Sequence, residues 1–221
     1  MSKNIVMIGA GVANVNAATK LVDNGFKGNI TIIDMGKDPY LRPYEEVMTG
    51  FLGAGGWSDG KLTYHTSIGG QLSKYCGEEK AMELFDQVIN NFKRFHPKPE
   101  EVQCSNPVAE PDFIKPYFGL RLFPVWHVGT DYLHEIGKNW YDYLVSKGVN
   151  FRWEEKVTDI DFVEQEVKSY EISINFWKCF CGASNLTPIC TGLGSVGKLY
   201  FSANCLPKSI PDLPTPKIKR S

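Results

Sequence analysis

The segment best suited to bind a phosphate is a turn of the form G-x-G-x-x-N near the N-terminus. Its glycines are Gly9 and Gly11, and Ala13 and Asn14 complete it. In such a turn the first glycine permits a sharp change from strand to helix, and the second lets a pyrophosphate approach the backbone. The helix that follows offers free N–H groups and the positive end of its dipole. An ordinary strand-to-helix turn is the alternative, because Asn14 replaces the usual glycine or alanine.

An acidic residue follows this turn at the spacing typical of dinucleotide-binding proteins. Asp34 lies 25 residues after Gly9, directly behind the apolar segment Ile30–Ile33. We expect its carboxylate to accept hydrogen bonds from the ribose hydroxyls of an adenosine. The alternative is an exposed acid at the end of a strand. Because Asp34 ends a strand, we also expect Asp34→Ala to weaken cofactor binding while changing folding little.

A second glycine-rich segment runs from Gly53 to Lys61. Its glycines would expose backbone N–H groups to phosphate oxygens or to a flavin ring, with two side chains as polar contacts. The segment is not a P-loop, because Leu62 occupies the position that requires serine or threonine. A flexible surface loop is the alternative. The residues that we assign to a cofactor site here are Gly55, Gly56, Ser58, Asp59, Gly60 and Lys61.

Hydrophobic spacing predicts the elements that position these residues. Ile5–Ile8 is a short apolar run typical of a buried parallel strand, and small and apolar residues at helical spacing follow the glycine turn. A second strand at Ile30–Ile33 completes a strand–helix–strand unit. This order predicts an α/β protein with a Rossmann-like dinucleotide-binding domain, in which helices flank a parallel sheet.

Two further helices and a late strand region are expected downstream. Apolar residues recur every three or four positions from Ala81 to Phe95, where Pro97 stops the pattern. A second such pattern begins at Thr130 or Asp131. Alternating residues between 149 and 162 predict one or two strands.

Composition and charge exclude several classes of function. Hydrophobic residues make up 43% of the 221 residues, charged residues 22%, and the formal net charge is −1. These values are typical of a soluble globular protein, so we expect no nucleic-acid partner and no membrane held by bulk charge. The uncharged run Asn4–Thr19 is too polar for a spanning helix or a signal peptide, and we expect a cytoplasmic protein. The six cysteines lack zinc-site spacing, so we expect free thiols and no metal.

Five strings in order resemble FAD-dependent oxidoreductases of the glutathione-reductase-like fold. They are GAGVAN, IIDMGKDPYLRP, GAGGWSDGKLT, HVGTDYL and WEEKVTDIDF. The chain is most similar to poorly characterised microbial FAD-dependent dehydrogenases, which carry a glycine-rich stretch ending in S-D-G-K-L and a later H-[IV]-G-T-D. The resemblance covers residues 4–167, and these two strings are more specific than the glycine turn.

The resemblance implies a cofactor and a set of residues that bind it. FAD is the implied cofactor, with a small-molecule substrate and NAD(P)H as a candidate electron donor. Gly9, Gly11 and Asp34 match the positions that bind the ADP part. Arg42 and the segment Gly55–Lys61 match the positions along the pyrophosphate and ribitol. Val157 matches the position whose backbone meets the adenine.

The same resemblance implies a domain division. Residues 1–65 and 125–200 would form the FAD-binding Rossmann-like domain, residues 66–124 a cap or substrate region, and residues 207–221 a disordered tail. Flavoproteins of this kind are more than twice as long and return to the sheet with a late strand. Here the only candidate for that strand is Ile189–Gly192, so we expect a truncated form whose segment from Lys168 to Leu206 packs only partly.

Two other interpretations stay open. A shortened chain that binds a nucleotide without redox activity is one. An enzyme similar to thiazole synthase, with an NAD-derived adenylate in the same fold, is the other. Catalytic residues are not assigned, although His65 and His127 are candidates for a proton donor near a flavin. For each histidine, a hydrogen bond to backbone is the alternative.

Overall fold

A computed structural model of the chain describes residues 3–68, 72–107, 112, 119, 122–161, 163–176 and 178–181. The strands in this part of the chain are β1 (Asn4–Ile8), β2 (Asn29–Ile33), β3 (Lys61–Thr63), β4 (Gln103–Ser105), β5 (Val125–His127), β6 (Asn150–Arg152), β7 (Val157–Asp161), β8 (Glu166–Ser169), β9 (Ser173–Asn175) and β10 (Lys178–Cys181). The α-helices are α1 (Val12–Asp23), α2 (Leu72–Cys76), α3 (Glu78–Phe95) and α4 (Leu133–Ser146). Short 3₁₀ turns lie at Ala54–Gly56, Pro99–Glu101 and Thr130–Tyr132.

The main sheet is parallel and has the order β10-β1-β2-β6. Its centre is β1, where four of the five residues are buried. Apolar side chains on both faces of a strand require cover on both sides, which is the situation of a parallel sheet between two layers. The expected strand–helix–strand unit is confirmed, and the chain is a mixed α/β protein.

One face of this sheet packs against helices α1, α3 and α4. Ile5 and Met7 of β1 lie in a buried cluster with Phe92 of α3 and Trp140 of α4. The rings of Phe92 and Trp140 meet edge to face at 5.4 Å. The indole N–H of Trp140 donates to the hydroxyl of Thr19 on α1 at 2.7 Å, which satisfies a polar group inside this core. Helix α3, which lies within residues 66–124, therefore shares the core of the main sheet.

The opposite face of the sheet is covered by an antiparallel unit of order β7-β8-β9. Val6 and Ile8 point to this side, because successive side chains of a strand alternate between faces. They form a second buried cluster with Val157, Val167 and Phe176.

A third sheet, of order β3-β5-β4, is antiparallel and brings distant segments together. Lys61 of β3 pairs with His127 of β5, so the S-D-G-K-L and H-V-G-T-D strings adjoin in space. Gln103 of β4 pairs with His127 from the other side. Since β4 lies within residues 66–124 and β5 outside them, this sheet crosses the expected domain boundary; the division into a cofactor domain and a cap stays a prediction.

The chain continues with ordered strands after Val167, where the sequence indicated no strand before Ile189. Strands β8, β9 and β10 lie after or across that point, and β10 extends the main sheet by pairing with β1. The segment from Lys168 to Asn175 completes the antiparallel unit, and Phe176 is 5% exposed. The late strand is therefore Lys178–Cys181. The candidate at Ile189–Gly192 and the tail 207–221 lie outside the described residues.

None of the helices in the described ranges is long and apolar enough to cross a membrane. Cys76 and Cys104 are free thiols.

Candidate functional site

The two glycine-rich segments meet at the N-terminus of α1. The backbone N–H of Leu52 donates to the carbonyl of Ala10 at 2.7 Å, and Leu52 forms a parallel bridge with Gly11. A Cβ added to Gly53 would lie 3.6 Å from the Cα of Gly11. Gly53 has φ of 54° and ψ of −152°, a combination that glycine adopts far more readily than other residues. The second segment therefore runs directly beside the first.

The N-terminus of α1 is open and has no acid or side-chain cap. Its first turn carries no acidic residue, and Gly11 at the N-cap supplies no side-chain hydrogen bond. A Cβ added to Gly11 would meet no atom within 4 Å. The first N–H groups of a helix have no partner inside the helix, so this end presents donors to open space. Such an arrangement fits the pyrophosphate of a dinucleotide.

The Asp34 carboxylate ties the segments of this site together. Its Oδ2 accepts from the backbone N–H of Ala10 at 2.7 Å. Its Oδ1 accepts from the N–H groups of Gly36 and Gly50, at 2.7 and 2.8 Å. A carboxylate has about four acceptor positions, so one on Oδ2 is left for a ribose hydroxyl.

Asp34 is only 9% exposed, which overturns one expectation about it. We expected Asp34→Ala to change folding little because the residue ends a strand. Removal of the carboxylate would instead leave three backbone N–H groups without their acceptor. Each buried donor left unsatisfied costs about 1–3 kcal/mol, so the side chain is structural whether or not it binds a ribose.

Asn14, where glycine is usual, stabilises the turn through its side chain. Its amide donates to the carbonyls of Ile8 and Gly9 at 3.0 and 2.8 Å, and the residue is 5% exposed. The Asn14 side chain is therefore directed back to the end of β1. The space above Gly11 is not filled by Asn14, so the substitution is compatible with an open helix N-terminus.

Arg42 organises the loop that leads into the second glycine segment. Its guanidinium donates to the carbonyls of Glu46, Val47 and Phe51 at 2.7 to 2.8 Å, with a longer bond of 3.4 Å to Gly53. Arg42 is 6% exposed. Burial lowers its pKa to about 10, against the opposing effect of Asp34, so it stays charged at neutral pH. Most of its donors are used within the loop.

Trp57, inside the second glycine segment, is held in a stack of rings. Its ring lies 3.7 Å from that of His134, with an angle of 10° between them. The Arg42 guanidinium covers Trp57 at 4.3 Å, and Tyr44 lies 4.4 Å from His134. Burial lowers the pKa of His134, and Lys138 and Arg42 add to the effect. The stack joins the glycine segment to α4.

The other residues assigned to the cofactor site lie around these segments. Ala13, Gly55, Ser58, Asp59 and Lys61 are exposed, whereas Gly56 and Gly60 are buried. Lys61 and Asp59 form an exposed ion pair at 3.3 Å. The Gly60 carbonyl accepts from the Val128 N–H at 2.8 Å, which fixes the end of the segment.

Val157 packs against Ile8 and Ile33, the last residues of the strands that lead into the glycine turn and Asp34. Its side chain is 4% exposed and lies in the second core cluster. The segment before it contacts Asp34 through the backbone, because Glu155 N–H donates to the Asp34 carbonyl at 3.0 Å. Whether Gly55–Lys61, Arg42 and Val157 touch a cofactor stays a prediction.

Two features near the site, the backbone conformation of Leu52 and the hydrogen bond between Ser105 and His127, could not be predicted from the sequence. Leu52, with φ of 62°, lies in the left-handed region and brings the second segment to Ala10; a leucine gives no indication of such a backbone. Ser105 hydrogen-bonds His127 at 2.9 Å, and the sheet register alone brings these two together. His65 likewise bonds a side chain, the hydroxyl of Ser67 at 2.8 Å.

Comparison with solved structures identifies proteins that share the fold of this chain. No family model and no curated protein matches the chain. A variant of NikD, described as an unusual amino acid oxidase essential for nikkomycin biosynthesis, aligns with a TM-score of 0.50 and 10% identity, over 88% of this chain and 55% of the oxidase. Glycine oxidase from Bacillus cereus aligns at 0.47 and 12%, over 86% and 58%. A flavoprotein/dehydrogenase from Cytophaga hutchinsonii aligns at 0.47 and 17%, over 88% and 43%.

The likeness to the NikD variant, at 10% identity, indicates a shared fold and nothing finer. The chain spans less than two thirds of the length of each of these proteins. The parallel sheet, the helix after the glycine turn and the antiparallel unit together form an α/β architecture of the Rossmann type, which the likeness to the NikD variant supports.

Proposed function

We propose that this chain binds FAD non-covalently between its two glycine segments and that it acts as a flavin-dependent oxidoreductase. The observation that carries the proposal is the bond from Leu52 N–H to the Ala10 carbonyl, which places the second segment beside the open N-terminus of α1. A dinucleotide needs donors for its phosphates and an acceptor for its ribose within one cleft. The neighbouring Asp34 carboxylate provides that acceptor.

Each part of FAD has a corresponding set of residues in this proposal. The backbone from Gly9 to Asn14 binds the pyrophosphate, and Asp34 Oδ2 accepts a hydrogen bond from the adenosine ribose. The segment Gly55–Lys61 follows the ribitol, with Ser58 and Lys61 as polar contacts. Arg42 acts mainly by shaping the loop, since its guanidinium already binds backbone carbonyls. Val157 lies nearest the adenine.

FAD, when bound, accepts or donates a hydride, and the protein supplies binding and orientation. The substrate in this proposal is a small molecule, and NAD(P)H is a candidate electron donor. Trp57 lies within the second segment, is buried and stacks on His134. This contact would limit the mobility of the segment around the cofactor.

A second candidate is a chain that binds the nucleotide without turnover. It is favoured because the open N-terminus of α1 and the Asp34 carboxylate suit a nucleotide, whereas no catalytic residue is assigned. Such a chain would take up FAD but would not be reduced by a substrate or by NAD(P)H. Reduction of the bound flavin under anaerobic conditions therefore separates the two candidates.

The test of the proposed function is a visible spectrum of the purified protein, before and after incubation with excess FAD and gel filtration. We expect flavin absorbance at stoichiometric amounts, and mass spectrometry of the denatured sample should identify released FAD. A colourless protein after incubation with FAD would overturn the proposal. Release of an adenylate derived from NAD would point instead to a thiazole-synthase-like enzyme.

A further inference from the structure

The exposed face of the antiparallel sheet carries a row of hydrogen-bond donors. Lys61, His127 and Gln103 lie side by side on β3, β5 and β4, because Lys61 and Gln103 both pair with His127. Residues paired across antiparallel strands share one face, with Cβ atoms about 4.5–5.5 Å apart. All three side chains are exposed. An imidazole and an amide therefore face the same region of space, beside a Lys61 ammonium that is paired with Asp59 at 3.3 Å.

His127 is held in place by a serine of the neighbouring strand. The Ser105 hydroxyl lies 2.9 Å from His127 Nε2 and 3.3 Å from the Val125 carbonyl, and its single proton serves one of these two acceptors at a time. Among the described residues, only Ser105 hydrogen-bonds the His127 ring. When Ser105 donates to Nε2, the imidazole carries its proton on Nδ1, and that N–H is the donor available to a ligand.

A cavity of about 360 Å³ opens beside this histidine. It lies between β4, β5 and the two 3₁₀ turns that flank them. A volume of this size is in the range of small-molecule sites, which span about 300–1,000 Å³. The polar residues that line it include Glu101, Gln103, Ser105, His127 and Tyr132.

The only acidic side chain among these lining residues, Glu101, is bound to a lysine and a tyrosine. Glu101 lies 3.1 Å from the Lys98 ammonium and accepts from the Tyr132 hydroxyl at 2.7 Å. His96, which also lines the cavity, uses both ring nitrogens, at 2.9 Å to the Val128 carbonyl and 2.8 Å to the Lys98 N–H. The N–H donors that remain along this wall belong to the Gln103 amide and to the second ring nitrogen of His127.

We propose that this cavity binds the carboxylate of a small organic acid, held by His127 and Gln103 with Ser105 as the positioning residue. Lys61 pairs with His127 and belongs to the second glycine segment but does not line the cavity, so the cavity lies one strand away from the proposed cofactor site. The identification of this acid as the substrate rests on the proposed function. The binding of the acid itself rests on the cavity and the donor row.

The experiment uses butyrate as the probe, followed by NMR of the histidine side chains in the full chain. Butyramide is the control ligand, because it has nearly the same shape and no charge. We expect butyrate to shift the His127 resonances in a saturable manner and butyramide to bind at least about tenfold more weakly. Equal affinity for the two ligands, or no saturable shift of His127, would overturn the inference.

Two substitutions and a matched control identify the site. His127→Gln should weaken butyrate binding at least about tenfold, and Ser105→Ala should weaken it less while altering the His127 resonances. His65→Gln is the control, since His65 is also exposed and bound to a serine but lies outside the cavity. Loss of butyrate binding in His65→Gln as large as in His127→Gln would overturn the assignment.

An FAD titration of the same samples separates this inference from the proposed function. Butyrate binding at His127 in a protein that never takes up FAD supports the acid site and removes its assignment to a flavin substrate. Uptake of FAD without butyrate binding contradicts the acid site and leaves the proposed function standing.

Discussion

The carboxylate of Asp34 accepts a 2.7 Å hydrogen bond from the backbone N–H of Ala10, and so links the end of β2 to the glycine turn after β1. The same carboxylate also receives the N–H groups of Gly36 and Gly50. One acidic side chain thus fixes the positions of three backbone segments, at Ala10, Gly36 and Gly50, around the open end of α1. Its position matters to the site even before any ligand binds.

Asp34→Ala should therefore destabilise the fold as well as weaken FAD binding. Three N–H groups lose their acceptor, at about 1–3 kcal/mol for each that stays buried, and we expect unfolding free energy to fall by at least about 3 kcal/mol. Urea denaturation measures this change. Asp38→Ala is the control, because Asp38 accepts backbone N–H groups at exposed positions and its loss should cost much less. Equal effects of the two substitutions would show that Asp34 is not structural.

Arg42→Lys should loosen the loop that precedes the second glycine segment. An ammonium cannot reach the carbonyls of Glu46, Val47 and Phe51 together, whereas the planar guanidinium does. We expect faster proteolytic cleavage between residues 43 and 53. Lys37→Met removes only an exposed ion pair with Glu46 and should leave the cleavage rate near that of the wild type. Unchanged cleavage in Arg42→Lys would contradict this role.

The His134–Trp57 stack should make stability depend on pH below neutrality. The pKa of His134 is lowered in the folded protein from an ordinary value of 6.5, mainly by burial. Between the folded and unfolded pKa values the unfolded chain binds more protons, so stability is greatest above pH 6.5 and declines as the pH falls below it. Urea denaturation between pH 7.5 and about 5.5 measures this decline.

His134→Phe keeps a ring on Trp57 and removes the titration. Its unfolding free energy should change less over the same pH range than that of the wild type. His65→Phe is the matched control, since it alters an exposed histidine outside the stack. If His134→Phe and the wild type lose the same stability, the stack is not the source of the pH dependence.

Phe176→Ala tests whether the chain after Val167 is an integral part of the fold. Phe176 is 5% exposed and lies in the cluster with Val6 and Ile8 of β1. Truncation of a buried phenylalanine costs about 3–5 kcal/mol, and thermal unfolding should show a matching fall in Tm. Val163→Ala, at a residue 87% exposed, should have almost no effect. A Tm unchanged by Phe176→Ala would show instead that the described part of this segment packs only partly.

Those elements of the fold that depend on the spacing of nearby hydrophobic residues could be predicted from the sequence. The first strand–helix–strand unit, α3 and α4 all follow from hydrophobic spacing and stop signals, and each is present. Strand β10 was missed because Lys178–Cys181 is short and mixed in composition, and its pairing with β1 depends on contacts far along the chain.

The arrangement of the candidate site was predictable only at residues whose type and spacing are typical of a dinucleotide-binding turn, and their contact with a cofactor stays a prediction. The glycines and Asp34 met at α1 as their spacing indicated. The buried role of Asp34 was not foreseen, because its three donors come from segments that only the fold brings together. The Ser105–His127 pair was hidden for the same reason, since a register between strands leaves no local signal.

The central claim is that the space above Gly11, beside the second glycine segment, holds the pyrophosphate of FAD. Gly11→Ala tests it directly. Gly11 has φ of −68° and an added Cβ meets no atom within 4 Å, so alanine fits without strain. The methyl group would occupy the space that the phosphates need.

The decisive measurement is an FAD titration of the wild type and Gly11→Ala, with Tm recorded for both. Gly119→Ala is the control, because its added Cβ also meets no atom within 4 Å and Gly119 lies outside both glycine segments. We expect Gly11→Ala to keep its Tm within a few degrees and to lose at least about tenfold in FAD affinity, or about 1.4 kcal/mol, while Gly119→Ala binds as the wild type does. A Gly11→Ala protein that binds FAD as tightly as the wild type would contradict the account.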